Sequence, residues 1–158
     1  VGGRALLLFV VTGQIAVWLG LFLGTVIQPG IGVDTAGLDL GPMGTAEHYH
    51  PKLRIVIDGA EVPVPPNIGV DPATGAMSAL HTHEDDGTVH IEADSEDEAF
   101  TLGQFFTQWG VALTPAQIGG VRATKGQEVQ LTSNGVVVEG NPADLRLEPE
   151  QQILLTLG

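Results

Sequence analysis

The sequence contains no cysteine, so the protein forms no disulfide and has no thiol for redox chemistry. Basic residues are also scarce, since six Lys and Arg accompany 19 Asp and Glu and the formal net charge is −13. This imbalance argues against nucleic acid and anionic lipid surfaces as ligands, because both attract basic patches. Stability must therefore come from packing, a metal or partners, and the acidic charge favours solvation, cations or a basic protein surface.

One long apolar run stands near the start of the chain. Residues 5–27 read ALLLFVVTGQIAVWLGLFLGTVI and contain no charged side chain. At about 1.5 Å rise per residue, such a run crosses a hydrocarbon core, and it exceeds the roughly 7–15 apolar residues of a signal peptide. We therefore predict that residues 1–28 are a single-pass transmembrane anchor in the cell membrane. Arg4 is the only basic residue before the run, which predicts a cytoplasmic N-terminus and an extracytoplasmic C-terminal part.

Small residues recur every fourth position within this run, at Thr12, Ala16, Gly20 and Gly24. They share one helix face and include the Gly-x-x-x-Gly spacing that allows close helix approach, which predicts docking on a partner helix in the lipid bilayer. Small residues are also frequent in such helices without any partner. The Gly- and Pro-rich residues 29–47 then predict a linker, a strap along a partner subunit, or a segment packed on its own domain.

Residues 48–158 are predicted to form a β-rich extracytoplasmic domain. Apolar residues alternate at Leu53, Ile55 and Ile57, and the pairs at 58–59 and 134–135, Asp-Gly and Asn-Gly, are strong hairpin turn signals. The segment Thr101-Leu-Gly-Gln104 matches a capping box, which predicts a helix over 102–109. A second short helix is predicted after Thr114, because Pro follows that cap residue and Gly-Gly follows the turn.

The predicted fold class is therefore one N-terminal transmembrane helix followed by a mainly β (α+β) extracytoplasmic domain with short helices.

All five histidines fall between residues 48 and 90, at His48, His50, His81, His83 and His90. Two H-x-H pairs place imidazoles on one strand face, and a symmetric hairpin around residues 84–87 brings His81 opposite His90. Converging imidazoles suit copper or zinc, with the nearby acidic residues as orienting groups or oxygen ligands: Glu84, Asp85, Asp86 and Glu92. A solvated histidine row without metal and a pH-sensitive surface are the alternatives.

Three motifs in this region form a recognisable pattern: H-x-H-P at 48–51, L-H-T-H-E through H-I-E at 80–92, and F-T-L-G-x-F-F-x-x-W-G at 100–110. Together with the closing strand, this pattern resembles a family of uncharacterised exported or membrane-anchored, single-span proteins of actinobacteria and archaea. The resemblance covers residues 48–158. It implies an exported or anchored location, and no catalytic residue carries over from it.

Three functions are compatible with these features. The first is a non-catalytic, membrane-anchored accessory subunit of a larger complex, for which the layout resembles small subunits of the actinobacterial cytochrome bcc-oxidase supercomplex of the respiratory chain. Its partners would be other subunits, contacted through the transmembrane helix and the strap. The second is an extracytoplasmic copper- or zinc-binding protein or metal carrier that uses the histidine cluster. The third is a metalloenzyme in which Glu92 or Asp86 acts as general base beside a metal-bound water.

Overall fold

The computed structural model describes residues 40–158 of the chain. The strands are Leu40–Gly41 (β1), Glu47–Tyr49 (β2), Lys52–Ile57 (β3), Ala60–Val62 (β4), Met77–Ser78 (β5), Leu80–His81 (β6), His90–Ala93 (β7), Leu113–Thr114 (β8), Gln117–Ile118 (β9), Val121–Arg122 (β10), Gln130–Ser133 (β11), Val136–Val138 (β12) and Gln152–Leu157 (β13). One α-helix, Leu102–Trp109 (α1), and one 3-10 turn, Pro142–Asp144, complete the regular structure of this range.

The largest sheet has five strands in the order β12-β11-β13-β3-β4. Strands β13 and β3 are parallel, and the other neighbours are antiparallel. Both predicted hairpins are confirmed: Ile57 pairs with Ala60, and Ser133 pairs with Val136. The two residues of each turn have positive φ angles, as the tight type I′ hairpin turn requires.

The predicted helix over 102–109 is also confirmed. Gln104 N donates to the Thr101 hydroxyl at 3.2 Å, and Thr101 N donates to the Gln104 side chain at 2.7 Å, which completes the capping box. Gly110, with φ of 73°, ends the helix in the left-handed conformation. The buried face of α1 packs against β6 and the 3-10 turn, and it consists of Leu102, Phe105, Phe106 and Trp109.

The second predicted helix is wrong. Thr114 pairs with Gln117, and Leu113 pairs with Ile118, so this segment is a hairpin of β8 and β9. The Thr114 hydroxyl accepts a hydrogen bond from Ala116 N at 3.2 Å, which stabilises a turn in place of a helix N-terminus. A segment this short gains more by burying Leu113 and Ile118 on one hairpin face than by nucleating a helix.

The predicted fold class therefore requires correction. The described part of the chain is mainly β with one short α-helix, and within residues 40–158 no helix is long and apolar enough to cross a membrane. The span predicted over 5–27, with its docking residues Thr12, Ala16, Gly20 and Gly24, lies outside the described residues. Most of the predicted strap lies outside them too. Its last part packs on the protein itself, because Leu40 pairs with Ser78 and Ala46 N donates to Ala93 O.

A second, three-stranded antiparallel sheet has the order β2-β7-β6, with β7 in the centre. Leu80 pairs with Ile91 on one side of β7, and Tyr49 pairs with Ile91 on the other. These apolar residues point into the core, because Leu80 and Ile91 are fully buried and Tyr49 is 8% exposed. The alternate residues of the same three strands therefore share the opposite face, and this face carries the histidines.

Candidate metal centre

Strand β7 brings all five histidines together. His81 pairs with His90 on one side of β7, as the symmetric hairpin predicted. On the other side His48 pairs with Glu92, and His50 follows one residue beyond the paired strand. Since His90 is central, its ring lies 5.2 Å from the His81 ring and 4.6 Å from the His50 ring, measured between centroids.

Two groups of three imidazoles result, and His90 belongs to both. We call His81, His83 and His90 the inner trio, because its first member is fully buried. We call His48, His50 and His90 the outer trio. Within each trio, one nitrogen of every ring lies within 4.8 Å of the nitrogens of the other two.

His81 is held rigidly in the inner trio. Its Nδ1 lies 2.9 Å from the carbonyl oxygen of Ser78, and because a carbonyl only accepts, Nδ1 carries the proton and donates it. The lone pair of the neutral ring is then on Nε2, which lies 3.1 Å from His83 Nε2. Burial lowers the pKa of His81 to about 4, so the ring is neutral at pH 7. A neutral imidazole with one nitrogen fixed by a carbonyl is the usual arrangement of a metal ligand.

His90 carries an orphaned polar atom. Its Nε2 is buried and has no hydrogen-bond partner within residues 40–158. The nearest acidic atom, Glu84 Oε2, lies 3.7 Å away, which is too long for a hydrogen bond. Leaving a buried nitrogen unsatisfied costs about 1–3 kcal/mol, and a metal ion bound by this nitrogen would remove that cost. Burial and the surrounding imidazoles also lower the pKa of His90, which favours the neutral, ligating form.

The outer trio is more exposed. His48 Nε2 lies 3.0 Å from His50 Nε2 and 3.4 Å from Glu92 Oε1. The side chain of His48 is 54% exposed, whereas that of Glu92 is 16% exposed. A half-buried carboxylate beside solvent-facing imidazoles can orient one of them or add an oxygen ligand.

The other predicted acidic neighbours behave differently. Asp86 accepts from Lys52 Nζ at 2.9 Å and from Thr88 N at 2.9 Å, and these bonds hold the pKa of its carboxyl well below the usual range. Asp86 is thus part of the loop structure and is poorly placed to act as the general base of a metal-bound water. Asp85 is exposed and borders a cavity that Arg54 and Glu61 also line.

The loop of residues 65–69, which we call the loop behind β6, fixes the position of the H-x-H pair at 81–83. The Thr82 hydroxyl donates to Pro65 O at 2.9 Å and accepts from Ile68 N at 3.0 Å. The backbone of Thr82 also exchanges hydrogen bonds with Ile68 and Asn67. Gly69, with φ of 70°, lies so close that a Cβ there would clash with the Leu80 carbonyl oxygen. The buried half of the site is therefore built on a backbone with little freedom.

The spacing of the nitrogens is compatible with a transition-metal ion. In a tetrahedral zinc site with Zn–N bonds of about 2.0–2.1 Å, neighbouring nitrogens are about 3.3 Å apart. In the inner trio the Nε2 atoms of His81 and His83 are 3.1 Å apart, and all three ligand nitrogens lie within 4.8 Å of one another. The ring of His83 is exposed, so it has room to turn toward an ion. Copper(II) also accepts imidazole nitrogens, and hard ions such as Mg²⁺ prefer oxygen ligands.

Sequence reasoning named all five histidines but missed the residues that position them. The positioning roles of Ser78 and Thr82 could not be predicted, because a single Ser or Thr beside a strand is common in any sequence. The contact of His50 with His90 depends on the long-range pairing of β2 with β7, which a single sequence does not reveal. The cavities of about 600, 490 and 240 Å³ are lined by residues other than these histidines.

No protein-family model, no curated protein and no solved structure matches the chain.

Proposed function

We propose that the protein binds one copper(II) or zinc(II) ion through the inner trio, His81, His83 and His90. The single observation that carries this proposal is the buried Nε2 of His90, which has no hydrogen-bond partner among residues 40–158, beside the fixed Nε2 lone pair of His81. A buried nitrogen without a partner is rare in folded proteins and calls for an explanation such as an ion. The function is then that of a metal-binding or metal-carrying protein.

The surroundings support a cation as the ligand. The net charge of −13 lowers the electrostatic energy of a divalent cation anywhere near the protein. Imidazoles bind a metal in their neutral form, so as ligands these rings add no positive charge of their own and do not repel the ion. The absence of cysteine and the presence of only two methionines favour Cu(II) or Zn(II) over Cu(I), which prefers soft sulfur ligands.

The experiment is equilibrium dialysis of the metal-free protein against Zn(II) or Cu(II), with the bound metal measured by mass spectrometry. We expect about one equivalent to be retained in the presence of excess Mg²⁺. The His83→Gln variant should bind more weakly, by at least the roughly 10- to 100-fold that loss of a ligand-orienting partner costs. His83 is exposed, so this change leaves the core intact.

The matched control is Glu128→Gln with Glu139→Gln, which removes two exposed charges outside the histidine sheet. This control tests whether the negative net charge of the protein alone holds the metal. The affinity of the control variant for the metal should equal that of the wild type. Retention of no metal, or equal loss of affinity in both variants, would contradict the proposal.

The accessory role in a respiratory membrane complex stays a prediction, as do the extracytoplasmic location and the membrane partners. The residues on which that role most depends lie outside the described range. Co-purification of the full chain from membranes, followed by mass spectrometry, would test it separately from metal binding. The metalloenzyme hypothesis likewise stays a prediction, and of its two proposed general bases Glu92 is the one whose carboxylate lies beside an imidazole, 3.4 Å from His48 Nε2.

A further inference from the structure

Resting on the proposed metal binding, we propose that the outer trio is an entry and exit position, from which a single ion passes to the inner trio while His90 stays bound to it. The two trios lie on either side of His90: the centroid of its ring is 4.6 Å from that of His50 and 4.7 Å from that of His83. An ion held by His90 therefore has two further imidazoles available on each side. No other side chain of residues 40–158 belongs to both groups.

The chemistry of imidazole limits the pair of positions to one ion at a time. A neutral imidazole has one nitrogen lone pair for a metal, and its other nitrogen carries a proton. His90 can thus ligate an ion in either trio but not in both, unless it loses its second proton. Exchange of the remaining two ligands, one after the other, moves the ion without releasing it to water.

Burial gives the exchange its direction. The outer position is the more accessible of the two, since His48 is exposed and His50 is half-buried, whereas the inner position pairs exposed His83 with fully buried His81. Glu92 adds a carboxylate oxygen 3.4 Å from His48 Nε2, which helps to attract and hold a cation there. The inner position contains fully buried His81 with its ring fixed by Ser78, so its ligands lose less freedom on binding. The ion is therefore taken up at the outer trio and kept at the inner trio.

The test combines stoichiometry with the rate of metal transfer to a chelator such as EDTA. Wild-type protein should bind one Zn(II), not two. His48→Gln with His50→Gln should retain one equivalent with nearly unchanged affinity, but uptake and release should both slow several-fold. His83→Gln should also retain one equivalent, bound more weakly at the outer trio, with faster release.

Combining all three substitutions should abolish specific binding, and Glu128→Gln with Glu139→Gln should change neither rate. Two equivalents in the wild type would overturn the single-ion proposal. Unchanged uptake and release rates in the His48→Gln, His50→Gln variant, or no bound metal in the His83→Gln variant, would contradict the outer trio as an entry and exit position. Either result would leave the inner site as a metal site. Absence of metal from the wild type would instead refute the proposed function itself.

Discussion

At the scale of single residues, the site depends on a division of roles among chemically identical side chains. His81 is buried and fixed by one hydrogen bond to Ser78, whereas His48 and His83 are exposed. His90 lies between them, and its Nε2 has no hydrogen-bond partner in the described part of the chain. The same imidazole group therefore supplies a rigid ligand, a shared ligand and movable ligands, and only the position of each in the small sheet distinguishes them.

The burial of His81 predicts an effect of pH on the metal-free protein. Its pKa falls from 6.5 to about 4 on folding, so between these values the unfolded chain binds more protons than the folded one. Stability must then decrease as the pH falls through this window, by about 3 kcal/mol for this group. The largest cause of the lowered pKa of His81 is the removal of its ring from water. The charges of His83, His90 and Glu92 also affect this pKa, but less strongly.

Urea unfolding between pH 7 and pH 4, with chelator present, measures this effect. The His81→Gln variant lacks the titrating ring, so its unfolding free energy should depend less steeply on pH than that of the wild type. Comparing slopes keeps the measurement valid even when the variant is less stable overall. Equal slopes in the two proteins would show that His81 is not buried and neutral in the folded state.

At the scale of elements, the loop behind β6 determines where His81 lies. Gly69 has φ of 70°, and a side chain there would collide with the carbonyl oxygen of Leu80, which precedes His81. Since both the backbone angle and the close approach require glycine, this position couples the loop to the metal site.

We expect Gly69→Ala to destabilise the fold by about 1–3 kcal/mol, because the loop or β6 must shift. We also expect it to weaken zinc binding, since a shift of β6 moves His81. Gly75→Ala is the matched control: its φ is 73°, but no atom lies within 4 Å of the added Cβ. Urea unfolding and zinc titration of both variants measure the two effects. Equal losses in the two variants would mean that backbone strain alone, and not contact with β6, explains the result.

Local signals predicted part of this architecture correctly. The capping box at Thr101 gave the helix, and the symmetric hairpin gave the pairing of His81 with His90, because both depend on residues close in sequence. The pairing of β2 with β7 could not be predicted, since it joins distant segments. The helix predicted after Thr114 is wrong, because Thr followed by Pro also forms a tight turn between short strands.

At the scale of the whole molecule, an acidic chain without cysteine has few means of stabilising a small fold. Its core relies on aliphatic and aromatic packing, with Phe100, Phe105 and Phe106 almost fully buried. A bound ion would add stability by mass action, by about 2.7 kcal/mol at a free metal concentration 100 times the Kd. Metal binding and folding are therefore expected to be linked.

X-ray absorption spectroscopy of the zinc-loaded protein tests the central claim most directly, because it counts the atoms around the ion. Coordination by the inner trio predicts three imidazole nitrogens at about 2.0–2.1 Å, and the same shell in the His48→Gln, His50→Gln variant, which keeps the inner trio. A shell made only of oxygen atoms, identical in both proteins, would contradict a histidine metal site and place the ion on surface carboxylates.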